Sequence, residues 1–437
     1  MGIWSAQRVL SAAQTRDYTV LALLATLSGV VGGGLCAGFR WGLLQGAELR
    51  HGVVAWTHRL PDALGLLIVI LGAAAMAATA AWLVRRFAPT AEGSGIPHAE
   101  AVLAGHLPPS PPQLIPIKYL GGTLAMGSGM ALGREGPSVQ MAASVANLIG
   151  RLFRRNWQDR RALIAGGAGA GLATAFNAPG AGAVFVLEEL VGRFDVRIAL
   201  VALGASAGAI ITSRAILGDD LVFQVPAMAA DGVATQLLFL VLGLIAGLMS
   251  LVYSRSLLAV LRLFDRFPGP IELRAALIGA GVGALGWFAP HLIGSGEGLA
   301  QSALQADLLW TVLPGLFLLR LLLGAVSYAA ATPGGLFAPM LALGAFVGLG
   351  FGQAAAALFP DLGSSPAAFA LVGMGAFFAG VVRAPVTGIV LVTEMTGASA
   401  LLLPLLSGCF GAMLVVEMLG EKPIYESLSD RSSALRR

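Results

Sequence analysis

The sequence Gly133-Arg134-Glu135-Gly136-Pro137 sets a charged pair among helix-opening residues inside one of the most apolar stretches of the chain, and it recurs as Gly335-Leu336-Phe337-Ala338-Pro339 at an offset of 202. Gly and Pro beside the charge predict a helix that begins at each motif. Other matches keep the same order. Gly93-Ser94-Gly95, which is followed by Ile96-Pro97, recurs as Gly294-Ser295-Gly296 at an offset of 201. Ala178-Pro179 with Gly182 recurs as Ala384-Pro385 with Gly388 at 206, and Glu188 falls on Glu394 at that same offset. One match among small residues carries little weight, but three in one order at nearly constant spacing read as an internal repeat.

The 437 residues are 57% hydrophobic and 11% charged, with 59 glycines and a mean hydropathy of +0.82. That is far too apolar for a soluble globule and predicts a polytopic membrane protein. The 22 uncharged residues between Asp17 and Arg40, and 22 more from Ala63 to Val84, are each long enough to cross about 30 Å of hydrocarbon as a helix. The first exceeds the apolar core of a cleaved signal peptide and reads as a retained span. From Glu92 onward the runs shorten and are broken by Gly and Pro, as at Pro108 to Pro116 and Phe176-Asn177-Ala178-Pro179. Broken helices are tolerated at membrane depth only where protein or a water-filled cavity surrounds them, which predicts an all-α transporter or channel core. The expected organisation is a single membrane domain over 1–437, with a first repeat at about 60–217, a second at about 270–420 and a C-terminal helix at about 421–432. Twelve residues follow Tyr425, which leaves no room there for a soluble regulatory domain.

Charge orients the halves. The linker Arg151 to Arg161 carries Arg151, Arg154, Arg155, Arg160 and Arg161 and reads as cytoplasmic, whereas its counterpart around Phe359 to Ala367 has no basic residue and only Asp361 as a charge. Equivalent loops of opposite character predict an inverted-topology repeat with its site near the bilayer midplane. Arg193, Arg197, Arg262, Arg266 and Arg274 fall in linkers on the cytoplasmic side of this scheme, with the termini; Gly218 to Gly232, carrying Asp219, Asp220 and Asp231, falls outside. Arg50 and Arg59 do not fit it. The formal charge of +4 is ordinary for a membrane protein with arginine-rich loops and points to no nucleic acid. Cys36 and Cys409 lack any metal-ligand spacing and read as free buried thiols. The five histidines form no HExxH, which argues against an intramembrane zinc protease; no metal or cofactor is expected.

The segments at Ser94, Glu135 and Phe337 each look like a helix N-terminus starting within the membrane. Such ends expose unpaired N–H groups and roughly half a positive charge, so several converging make an anion site without a full cation. That suits an ion that must also leave. Ser94 and Tyr425 could add hydroxyl donors, and the glycines allow close backbone approach; their plainer readings are an ordinary N-cap and an interfacial aromatic. An ionised Glu135 would itself fill the anion site, and protonation would vacate it, linking anion movement to proton movement. The competing reading of Glu135 is a salt bridge with Arg134 or another cation. Glu188-Glu189, at the end of an apolar run before Arg193, could relay protons inward or simply face water. Phe337 stands where the first repeat has Glu135, so only one of the two helix starts can titrate.

Together these residues resemble the CLC family of chloride channels and proton-coupled chloride antiporters over essentially the whole chain: GSGIP at 93–97, GREGP at 133–137, FNAP at 176–179, Glu188-Glu189, GLFAP at 335–339, RAPVTG at 383–388, and Lys422-Pro423 with Tyr425. The resemblance implies an all-helical inverted repeat of broken and tilted helices that pairs as a homodimer, with one anion pore in each subunit. It implies that Ser94, Tyr425 and the backbone N–H groups of Leu336 and Phe337 bind the central chloride, and that Glu135 is the gate and external proton acceptor. Around them Gly93, Gly95, Ile96, Pro97, Gly133, Arg134, Gly136, Pro137, Gly335, Ala338 and Pro339 form the filter backbone. Glu189 matches the internal proton-transfer glutamate, a residue similar to that of the antiporters. Leu336 replaces the Ile of many relatives, a change that should be nearly silent because the contact is through backbone. The lack of the paired C-terminal domains of eukaryotic members implies a prokaryotic inner-membrane protein. The expected activity is proton-coupled chloride antiport. A passive chloride channel of the same fold is the runner-up, and an inverted-repeat carrier of a larger organic anion a more distant one, since the arginines lie mainly in linkers. No nucleophile-and-base or metal constellation suggests an enzyme.

Overall fold

A computed structural model describes residues 12–226, 232–360 and 365–435. Asp231 and Asp361, which helped to set the expected orientation, lie outside the described residues. Seven helices among those described are long and apolar enough to span a bilayer, and Leu313–Tyr328, Pro366–Val382 and Pro385–Thr396 are shorter apolar pieces. This is the expected pattern of full spans around broken helices.

The first helix, α1 (Ala12–Thr57), does not end at Arg40 but runs for 46 residues, about 69 Å at 1.5 Å per residue. No proline interrupts it, and Arg40 and Arg50 are half-buried against the protein. Arg50 Nη1 donates to the carbonyls of Met126 and Gly127 at 3.3 and 3.4 Å. These bonds from Arg50 to the end of α4 help one apolar helix to continue past the bilayer thickness. Next come α2 (Asp62–Phe87), α3 (Ile96–Leu103), α4 (Leu114–Gly127), α5 (Glu135–Leu152), α6 (Trp157–Phe176), α7 (Pro179–Phe185) and α8 (Val196–Leu217). The second half supplies α9 (Val233–Asp265), α10 (Ile271–Phe288), α11 (Glu297–Leu304), α12 (Leu313–Tyr328), α13 (Phe337–Leu358), α14 (Pro366–Val382), α15 (Pro385–Thr396) and α16 (Leu402–Met418). The C-terminal helix, α17, is Ile424–Leu435; it starts just past Pro423, which has no N–H to give to a preceding turn.

Matching helices of the two halves pack in matching ways, through small residues that let backbones approach. Gly29 and Gly33 of α1 abut Ala205 and Ala209 of α8 in parallel register, as Gly243 and Gly247 of α9 abut Gly408 and Ala412 of α16. Gly167 and Gly171 of α6 lie antiparallel on Ala142 and Ser138 of α5, as Gly344 and Gly348 of α13 lie on Met374 and Ala370 of α14. Across the halves, α2 and α10 run antiparallel: a Cβ on Gly279 would stand 2.7 Å from that of Ala77, and one on Gly283 would stand 2.9 Å from that of Ala73. Equivalent helices that oppose each other in direction are the geometric content of an inverted topology. Gly133 and Gly335 meet in a two-residue antiparallel bridge, with N–H to carbonyl distances of 2.9 and 2.6 Å.

The sharpest correspondence is at α7 and α15. Glu394 of α15 accepts from Gly180 N and Ala181 N, both at 2.9 Å, at the start of α7. Glu188, in the π turn Val186–Leu190 that continues α7, accepts from Val386 N, Thr387 N and Thr387 Oγ1 at 2.9, 2.6 and 2.7 Å, at the start of α15. Each helix start begins with a proline at its first position and lacks a cap from its own side chains. The carboxylate from the other half supplies one. Both bonding groups are charge-assisted, the stronger class of hydrogen bond. Replacing Glu394 with Ala leaves two N–H groups of α7 without their acceptor and should cost about 1–2 kcal/mol, read as a lower unfolding midpoint in an SDS titration; Glu394→Gln, which keeps one acceptor oxygen, should lose less. Unchanged midpoints for both would deny the cap its structural weight.

Candidate anion site

The three broken-helix starts converge. α5 begins at Glu135 and α13 at Phe337, and α3 follows Gly95, which adopts a left-handed conformation at φ +85°. Glu135 is fully buried. Its Oε1 accepts from the backbone N of Phe337 at 2.7 Å, while Oε2 is buried without a hydrogen-bond partner. A Cβ on Gly335 would stand 2.7 Å from the Glu135 carboxyl carbon, so only glycine there leaves the carboxylate room to reach the α13 start. The salt-bridge reading of Glu135 is replaced by a different arrangement: Arg134 turns away, with Nε donating to Ala175 O at 2.9 Å and Nη1 pairing with Glu297 at 3.1 Å. The carboxylate is held by helix N-termini and not by a guanidinium.

Ser94 lies against Gly136, where a Cβ would stand 2.8 Å from the Ser94 Cα. The hydroxyls of Ser94 and Tyr425 are both buried and lack a partner. Two orphaned O–H donors beside the starts of α5 and α13 are what a small anion would satisfy, because an unmade hydrogen bond in the interior is costly. The ring of Tyr425 lies 5.9 Å from that of Phe337, which also packs against Phe378 at 4.7 Å, Phe185 at 6.0 Å and Phe176 at 6.4 Å. Leu336, fully buried, caps α13 through its backbone alone.

Several contributors carry no sequence motif. Lys118 of α4 is fully buried and donates from Nζ to the carbonyls of Ala91 and Gly93 at 3.0 and 2.8 Å, which fixes the loop that presents Ser94. The Tyr328 hydroxyl accepts from Ser94 N at 3.2 Å. It also lines a cavity of about 540 Å³ with Glu92, Gly93, Gly95, Arg274 and Arg431. That cavity is bordered by Leu428 and Arg431 of α17 and by Gly93 and Gly95 on either side of Ser94, and Arg431 holds α17 there by pairing with Asp265 at the end of α9. The signal for Lys118 and Tyr328 was present as a lone cation and a lone hydroxyl in apolar helices, but nothing local said what they would meet.

Glu188 and Glu189 part company. Glu188 is the cap of α15 described above, with both oxygens engaged. Glu189, one position on in the π turn, lies within electrostatic reach of Glu100 of α3, as does Glu426 of α17; Glu100 was not anticipated, and its Oε1 is buried without a partner. π turns are frequent at functional sites. Cys36 and Cys409 are free and buried, as expected.

A family model described as voltage gated chloride channel matches residues 76–417. The chain is similar to the H(+)/Cl(-) exchange transporter ClcA of Citrobacter koseri, with 37% identity over 430 residues that cover 96% of this chain and 90% of that one. It is 41% identical to the protein of the same name from Vibrio cholerae over 360 residues, covering 80% and 76%. The crystal structure of a slow cyanobacterial Cl-/H+ antiporter superposes with a TM-score of 0.91 at 36% identity, covering 95% of this chain and 98% of that chain. With its motifs in order, its broken helix starts facing one another and these likenesses over nearly its full length, the chain belongs to the CLC family, that of the voltage-gated chloride channels.

Proposed function

We propose that the protein exchanges chloride for protons across a bacterial inner membrane. The observation that carries this is the Glu135 carboxylate on the N–H of Phe337, beside the unpartnered hydroxyls of Ser94 and Tyr425. A carboxylate and a chloride compete for the same helix N-terminus, and only the carboxylate can be removed by a proton. Glu135 is thus the gate and the external proton acceptor. Ser94, Tyr425 and the backbone of Leu336 and Phe337 hold the ion. Glu189 is the internal proton donor and acceptor, its companion Glu188 being committed to α15. The names of the similar proteins, exchangers and an antiporter, support exchange over passive conduction.

The filter presents backbone and hydroxyl donors, and its adjacent guanidinium, that of Arg134, is engaged by Ala175 and Glu297, which disfavours a larger organic anion needing a bidentate clamp. The membrane partner of the exposed apolar faces of α8 and α16, including Leu203, Ile211, Leu406 and Phe410, is lipid and a second copy of the chain in a homodimer. Both termini lie in the cytoplasm, where Arg155, in the linker before α6, and Arg197 of α8 pair with Asp17 near the start of α1.

In proteoliposomes an imposed chloride gradient should drive protons uphill; chloride uptake with no proton flux would make the protein a channel. Glu135→Gln, fixed in the neutral form, should abolish proton movement and keep part of the chloride flux, and retained proton pumping would refute the gating role. Glu189→Gln should uncouple while Ser94 and Tyr425 still bind chloride, so a variant with wild-type coupling would return Glu189 to a water-facing helix end.

A further inference from the structure

Lys118 and Arg320 stand at an offset of 202, the same as the two Gly-x-x-x-Pro motifs, and both are fully buried. Lys118 backs the first Gly-Ser-Gly loop. Arg320, on α12, backs the second, but it is not spent in the same way. Its Nη1 donates to Leu292 O at 3.2 Å, while Nε and Nη2 are buried without a hydrogen-bond partner. Nη2 lies 2.6 Å from where a Cβ on Gly296 would be, so the guanidinium faces the N-cap of α11. That cap residue is left-handed at φ +91°, and no side chain caps the first turn. Glu297, the carboxylate at this helix start, is drawn off by Arg134. The Nε atoms of Arg40 and Arg50 are likewise buried and unpartnered, and Arg50 Nη2 lies 3.7 Å from the Cβ position of Gly294.

A helix start with uncapped N–H groups, backed by a buried cation, parallels the Ser94 loop, with the difference that donors of this cation are open where those of Lys118 are taken by carbonyls. The inverted topology puts it at the opposite mouth of the molecule. We propose that the loop Gly294-Ser295-Gly296-Glu297 is a second anion site, which takes a small inorganic anion such as chloride on the first-turn N–H groups of α11 and the free edge of Arg320, with Arg50 at its rim. It concentrates the anion at the outer mouth before the anion reaches Glu135. It also gives Arg50, which breaks the charge asymmetry of the loops, a reason to be outside. As a recruitment site for transported chloride it rests on the antiport reading.

Crystals grown in saturating bromide separate the two. The expected result is one anomalous peak between Ser94 and Tyr425 and another at the start of α11 beside Arg320. A peak at the first position alone overturns the second site, and absence of the first overturns the halide reading itself. In flux assays, Arg320→Met should raise the external chloride concentration for half-maximal transport about tenfold, the loss of one charge-assisted contact, with the internal value unchanged. Arg50→Gln, which leaves the core charge in place, should raise the external value severalfold. No change in Arg50→Gln, or an equal change on both sides, overturns the proposal.

Discussion

The structure depends on one hydrogen bond, that from Phe337 N to the Glu135 carboxylate at 2.7 Å. A helix that starts at membrane depth presents N–H groups that water does not reach, and some acceptor must meet them. Glu135 does so for α13 from the start of α5, and its negative charge lies between two helix ends, each worth about half a positive charge. The carboxylate is therefore neutralised by dipoles, with the nearest guanidinium engaged elsewhere. An acceptor held in this way is replaceable. A chloride offers the helix ends the same charge without the side chain, so in the proposed exchange the two occupy the position by turns.

For this competition to be clean, the donors must not move when the acceptor changes. The ring of Phe337 is fixed by four aromatic neighbours, and the antiparallel bridge between Gly133 and Gly335 ties the two helix starts to each other. Further out, Glu188 and Glu394 cap one another's helices, so each half completes the other. A half-molecule would leave α7 or α15 with uncapped N–H groups in a low-dielectric setting. The duplication is thus more than a doubling of mass: the polar groups of one copy are satisfied by those of the other.

What the sequence revealed, and what it did not, follows from the range of the forces involved. The inverted repeat and the three helix starts were legible because Gly and Pro act on the backbone within a few residues and keep their spacing. Glu135 was legible as a charge in an apolar run next to such a signal. Lys118, Tyr328, Glu100 and Arg320 were not, since each stands alone on a regular helix and its partners are distant in the chain. Glu188 was misleading for the same reason: its neighbour in sequence is Glu189, but its partners are at Val386 and Thr387. The length of α1 was missed because Arg40 and Arg50 look like the end of a span until the protein surface that accepts them is known. The offset of 202 between Lys118 and Arg320 was available in the sequence, yet without the loops they back it had no meaning.

The placement of Lys118 also answers how the proposed anion pathway can be attractive without becoming a trap. Two unit charges in contact at 4 Å attract by about 4 kcal/mol at an effective dielectric constant of 20, and at 8 Å by about 2 kcal/mol. An ammonium in the filter itself would hold a halide with the larger figure, and with more as the site dried. Lys118 instead donates to the carbonyls of Ala91 and Gly93, so the loop stands between its charge and the ion. On the proposed reading, the potential at Ser94 is raised by a group that does not touch the ion it attracts. In the proposed site backbone N–H groups and hydroxyls make the contact, and they form and break hydrogen bonds without separating an ion pair. In the proposed exchange, a buried amine set one layer behind a neutral lining therefore favours entry at a small penalty to exit, and the proton on Glu135 is left as the means by which occupancy is decided.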